Sequence, residues 1–426
     1  MKRPKVANLV KDTNLPKMFK IRQKFDGQHI KTEDIKNILL EKLDKDSINN
    51  KIKPGMKIAI TVGSRGIANI KQITKSIVDF CYLKNAVPFI VPSMGSHGGS
   101  TSEGQLEVLS SLGITEEYIG CKILANTDVV KISETSDGLP VYIDKEAYNA
   151  DGIIINCRIK PHTAFRGEYE SGIMKMMAIG LGNQHGAQVI HESGFKNMHK
   201  NVPAFGREIL KKSKVLFAVA TIENAYDQTS HIEVVNKEEI NEKEPILLKE
   251  AFGKMPRILV DECDVLVVDK IGKNFSGDGM DPNITGTFCT PYASGGIKSQ
   301  RVVVLDLSDE SHGNGIGIGY SDITTSRFFN KIDLEAMYPN SITCTVLGGV
   351  RIPMIMENDL NAIQVAIQTC NEIDKLNPRV VRIPNSLNIG EILLSESYYE
   401  YAKECNDIEV LTKPKYMNFD EHGNLF

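Results

Sequence analysis

KIAITVGSRGIANIKQITKSIVDFCYLKNAVPFIVPSM (57–94) decides the fold class. Residues 57–63 form a short apolar run, 88–94 form another, and apolar residues recur at helical spacing from about Ala68 to Lys84. Strands apolar on both faces are covered on both sides, and a helical crossover makes them parallel. The pattern continues outward: a helix is expected over about Ser102–Leu112, and GIIINC (152–157) and VLFAVATI (215–222) are two more continuous runs. After the charged stretch NKEEINEKEPILLKEAFGKM (236–255), read as a connecting helix, a second set begins with DVLVVDKI (264–271) and RVVVLDL (301–307). Helices are expected over 322–331 and 358–374, and RVVRI (379–383) as a later strand. The expected architecture is α/β, two domains with mainly parallel sheets around an inter-domain cleft. The division expected is an arm over 1–20, lying on the surface or on a neighbouring subunit of a homo-oligomer, a catalytic and cofactor domain over 21–245, and a second α/β domain over 246–426.

Composition narrows the function classes. The 426 residues are 41% hydrophobic and 24% charged with a net charge of −4, which gives no general attraction to nucleic acid or anionic membrane. No apolar run approaches the ~20 residues that span a bilayer, and the basic start lacks the apolar core of a secretory signal, so a cytoplasmic location is expected. The eight cysteines are scattered without a CxxC, which argues against a zinc knuckle or local iron–sulfur motif and for core packing.

In α/β sheets ligands lie beyond the carboxyl ends of strands. There the sequence places GSRGIAN (63–69) with Arg65, GSHGGSTSEGQ (95–105) with Gly95, His97, Gly98 and Gly99, and a long loop over 158–194. The Gly-rich turn into a helix suits a phosphate or carboxylate, although it lacks the GxGxxG dinucleotide pattern. Arg65 has an ordinary alternative, pairing with a surface carboxylate. Four of the nine histidines, His162, His185, His191 and His199, fall in one short stretch and point to acid–base or metal chemistry. Lys175 sits in the apolar run SGIMKMMAIGLG. Either it snorkels to solvent or desolvation makes it a nucleophile toward a carbonyl or thiocarbonyl carbon.

The succession SRGIAN, PSMGSHGGSTSEGQ and KPHTAFRGEYESGIMKMMAIGLG, with a histidine following, resembles the nickel-dependent lactate racemase family. It extends more thinly into DKIGKNFSGDGMDPNITG (269–286). The resemblance implies two α/β domains and a nickel-pincer nucleotide covalently joined through Lys175, with His191, sixteen residues on, as nickel ligand and His185 as its rival. It makes His97 and His162 the proton-transfer pair, Arg65 the holder of substrate carboxylate, and Gly95, Gly98, Gly99 and Gly180 part of the cofactor cradle. Lys273 and Asn274, with Lys270, Asp278 and Asp281 in the same loop, are candidates for a longer substrate or for cofactor phosphate. Two departures concern substrate identity: the stretch from His162 to Lys175 is about three residues longer than in the lactate enzymes, and the flanking Gly-Gly and Pro-Gly pairs are Ser-Gly (171–172) and Ile-Gly (179–180).

The implied activity is racemisation or epimerisation of a 2-hydroxy acid, lactate-like or a larger hydroxy or sugar acid, which requires cofactor-synthesis enzymes as partners. Breaking an unactivated Cα–H bond suits hydride transfer better than a side-chain base, while two histidines with ordinary values near ~6.5 suit proton exchange at the hydroxyl. The rival readings are a non-catalytic anion- or metal-binding protein and a metal-dependent lyase using the same histidines.

Overall fold

Four continuous β-branched runs form the parallel heart of one sheet in the computed structural model, which describes residues 3–426. Its six strands lie in the order Lys122–Ile123, Val87–Pro92, Lys57–Val62, Gly152–Arg158, Val215–Glu223 and Thr229–Asn236. The first five are parallel, and the last returns antiparallel as a hairpin. All but the first residue of Lys57–Val62 is buried, as double coverage demands. On one face, the helix Ile70–Leu83 buries Ile70, Ile73 and Ile77. On the other, Met174, Met177, Val202, Phe205, Leu247 and Leu248 pack beneath the helices that follow the third loop.

The chain forms two units. One is Asp26–Met255; the other joins Pro256–Phe426 to the residues up to Phe25. The second unit has an eight-stranded sheet in the order Met354–Met356, Ile323–Thr325, Lys298–Leu307, Glu262–Ile271, Val380–Ile383, Glu391–Ser395, Met18–Gln23, Ile408–Val410. The first five strands are parallel and the last three antiparallel.

These boundaries differ from the expected ones. Met18–Gln23 is no surface arm but an inner strand, paired on both sides, because Met18, Phe19 and Ile21 are buried within the second unit. The expected boundary at 245/246 falls inside one helix, Ile240–Lys254. The helix expected over 322–331 begins as a strand, Ile323–Thr325, because ITT is β-branched and fully buried; Thr325 then caps the short helix Ser326–Asn330. All eight cysteines are unbridged, and five are buried. No described helix is long and apolar enough to cross a membrane.

Candidate active site

Three strand-end loops of the Asp26–Met255 unit carry the chemistry. The first follows Lys57–Val62 and presents Ser64 and Arg65, whose side chain is exposed. The second follows Val87–Pro92 and turns through left-handed backbone at Gly95, Gly98, Gly99 and Ser100. Gly98, with φ +68°, would put a Cβ 2.7 Å from the Gly104 carbonyl carbon, so only glycine fits. That close turn presents His97, whose Nδ1 is hydrogen-bonded to the Ser64 hydroxyl, joining the first two loops. Thr101 caps the helix that follows by accepting the Gly104 N–H at 3.1 Å.

The third loop leaves the Gly152–Arg158 strand. Arg158 pairs with Glu223, which also accepts the Ala68 N–H at 2.6 Å, tying this strand end to the first loop. Paired backbone bonds between Lys160 and Ser171, 2.9 and 3.2 Å, close residues 161–170 into a loop. Inside it, the buried Glu170 carboxylate accepts the N–H of His162 at 2.6 Å and of Gly167 at 3.2 Å, and pairs with Arg166 at 3.3 Å. The His162 Nδ1 accepts the Ala164 N–H at 3.0 Å. A backbone N–H can only donate, so the neutral ring carries its proton on Nε2.

Lys175 ends a single helical turn, Ile173–Lys175, that runs into a π-helical turn over Met176–Gly180 closed by Leu181 N–H to Met176 C=O at 2.9 Å. Such turns recur at functional sites. Gly180 fits because a Cβ there would lie 2.7 Å from both Met176 Sδ and the Ser93 carbonyl; the Gly95 N–H bonds the Gly180 carbonyl at 3.4 Å. The second loop is thereby packed on the turn that bears the lysine. The next helix, Asn183–Glu192, carries His191 in its last turn. The Phe195 ring lies 5.9 Å from that of His191 and 6.4 Å from that of His162.

The same groups act on one another electrostatically. Burial first, then the charges of Lys175, His191, Arg166 and Arg65, hold His162 well below the ordinary histidine range. Burial and then Lys175 push His191 down to about 4. Both imidazoles are therefore neutral at pH 7, and His162 presents its Nε2–H. The nearby Glu170 is raised by burial, against the pull of its N–H donors and Arg166.

The structure thus brings Arg65, His162, Lys175 and His191 together, with His97 held beside Arg65 through Ser64. It does not bring His185, whose exposed ring stands edge-on to Tyr142 at 4.4 Å. His199 is exposed on the helix Met198–Lys212. Of the two candidate nickel ligands only His191 faces Lys175, since six residues along a helix turn the two side chains well apart. Lys273 and Asn274 belong to the other unit, where Lys273 Nζ donates to the Gly277 carbonyl at 2.7 Å and Asn274 accepts from Ser308 at 2.6 Å. Sequence reasoning missed Glu170, though it lies within the quoted stretch, and missed Glu244. The buried Glu244 carboxylate accepts the Met174 N–H at 3.0 Å, and burial pushes it up to about 8.

Residues 4–202, which include Arg65, His97, His162, Lys175 and His191, match the family model described as the lactate racemase N-terminal domain. This stretch, somewhat less than half of the chain, is what the sequence shares with the lactate racemase family. The lactate racemase apoprotein from Thermoanaerobacterium thermosaccharolyticum is similar in fold, with a TM-score of 0.52 over 87% of this chain and 98% of that one, at 13% identity. A crystal structure of a Thermotoga maritima protein aligns with a TM-score of 0.46 over 66% of this chain and 71% of that one, at 14% identity. No curated protein sequence matches the chain at a significant level.

Proposed function

We propose that this protein, like the lactate racemase family its first half resembles, is a racemase or epimerase of a 2-hydroxy acid, lactate-like or larger, that works with a nickel-pincer nucleotide carried on Lys175. The observation that carries the reading is the set of groups around His162: a lysine immediately before a π turn, a second neutral histidine and two arginines. Among the described residues no three His, Cys, Asp or Glu side chains gather to hold a metal. A metal entering here must bring most of its own ligands and needs one more. One neutral imidazole beside an amine fits such a group, with His191 as the protein ligand and Lys175 as the covalent anchor. Gly95 and Gly180 keep the neighbouring loop close to that anchor, and Gly98 shapes the loop itself. Bound there, the group would supply a two-electron acceptor for the hydrogen on the substrate's reacting carbon.

This chain's own residues do the rest. The Arg65 guanidinium offers two parallel N–H donors to a carboxylate, which fixes the acid while its reacting carbon becomes planar. The substrate's hydroxyl proton passes to one histidine and returns from the other, His97 and His162. Burial, and then the neighbouring cations, hold His162 neutral, so that its Nε2–H can return a proton to the substrate oxygen. The test is intact mass and metal analysis of protein made together with the cofactor-synthesis enzymes, followed by a screen of chiral 2-hydroxy acids. Stoichiometric nickel, a sulfur-bearing adduct on Lys175 and turnover of one acid are expected. Anion binding with neither adduct nor turnover would replace the reading with a binding protein.

A further inference from the structure

We propose that Glu244 positions Lys175 from outside the strand-end loops, an inference that rests on reading Lys175 as the cofactor-bearing lysine. The helix Ile240–Lys254 buries Ile240, Glu244, Leu247, Leu248 and Ala251, one stripe at helical spacing with a carboxylate in its middle. Both Glu244 oxygens face the Met174 N–H, at 3.0 and 3.3 Å. The helical turn that ends in Lys175 starts at Gly172, which has no side chain to cap its first N–H groups. Glu244 supplies that cap from a separate helix.

The fit is close on both sides. A Cβ at Gly172 would lie 2.2 Å from Glu244 Oε1, so the glycine admits the carboxylate. No ion pair to Glu244 occurs among the described residues. A buried unpaired carboxylate is an expensive way to gain stability, and an apolar residue completing the stripe would cost less. The carboxylate holds instead the backbone at Met174, immediately before Lys175, and so fixes the direction in which the lysine leaves the turn.

The experiment compares wild type, Glu244→Gln, Gly172→Ala and the double variant, each made with the cofactor-synthesis enzymes. Gly172→Ala keeps the carboxylate but displaces it, and covers the case in which Glu244→Gln fails to fold. Adduct occupancy at Lys175 is read by intact mass. Acetylation of Lys175 in the apoprotein is read by peptide mass spectrometry against the exposed Lys212. Loss or displacement of this buried cap predicts that occupancy falls by about tenfold in each single variant. The double variant should be no worse than the poorer single one, since both act through one contact. Acetylation of Lys175 relative to Lys212 should rise severalfold as the loosened turn frees the amine. A folded single variant with full occupancy and an unchanged acetylation ratio would overturn the assignment. Absence of adduct in wild type would instead remove the reading of Lys175, while the acetylation ratio would still test the positioning.

Discussion

Replacing Glu170 with alanine tests whether the 161–170 loop is held by one carboxylate. Three donors converge on it: the N–H of His162 at 2.6 Å, the N–H of Gly167 at 3.2 Å and Arg166 at 3.3 Å. Hydrogen bonds to a charged acceptor contribute about 1.5–3 kcal/mol each. Arg166 keeps the carbonyls of His162 and Phe165, so its share of the loss is small. Removing a buried carboxylate also removes its desolvation cost, which offsets part of the two backbone terms. The net loss is about 3 kcal/mol, or roughly 6–12 °C in the melting of a unit of this size. Glu170→Gln keeps one acceptor for the His162 N–H and should lose about half as much. Because His162 would then shift on its loop, turnover should fall by about 10²-fold in the alanine variant, with a smaller change in KM. Thermal melting and steady-state kinetics on the reacting acid read both effects. A variant melting with wild type and turning over at the wild-type rate would show that the loop is held by something else.

Lys175→Ala should abolish the adduct in intact-mass spectra yet melt close to wild type, because the lysine is only half-buried; it should also let the His162 ring titrate at higher pH by NMR, since the leading charge that depresses it is gone. His97→Ala and His162→Ala should each slow inversion in both directions by about 10²–10⁴-fold while ligand binding, followed calorimetrically, survives through Arg65; full activity in either variant would exclude a two-base proton exchange. Hydrogen bonding to Glu233, then to Glu250, raises His231 above 6.5 against the effect of burial. Its contribution to stability is therefore complete below about pH 6.5 and lost as pH rises through the raised folded value, so the urea midpoint should fall as pH rises above about 6.5 in wild type and fall less in His231→Gln.

Much of the parallel core was legible because Lys57–Val62, Gly152–Arg158 and Val215–Glu223 are apolar on both faces, a pattern that parallel strands between helix layers share. Position at strand ends likewise picked out Arg65, His97 and His162. What was not legible depends on distant partners. Met18–Gln23 reads as a polar, basic segment because half its residues alternate with Lys and Arg, and its pairing with residues near 391 and 408 leaves no local trace. Glu244 hid in a run of Glu and Lys that looked solvated. The available signal was its place between Ile240 and Leu247 on the apolar stripe, where a carboxylate has no reason to be unless something needs it. His185 and His191 were separable only by which face of their helix looks toward Lys175.

The inner position of Met18–Gln23 has a consequence for how the protein is made. On the ribosome these residues emerge long before their partners, Glu391–Ser395 and Ile408–Val410. The Asp26–Met255 unit is one unbroken stretch of chain and can finish folding while the leading segment waits with its strand unpaired. Among the described residues Ile408–Val410 has no neighbour in the sheet except Met18–Gln23, so a chain that loses Met18–Gln23 leaves that strand with nothing to pair with. Removing one strand would thus injure another far along the chain, and a permuted gene that places Met18–Gln23 after Ile408–Val410 would let the second unit assemble in a single pass of translation.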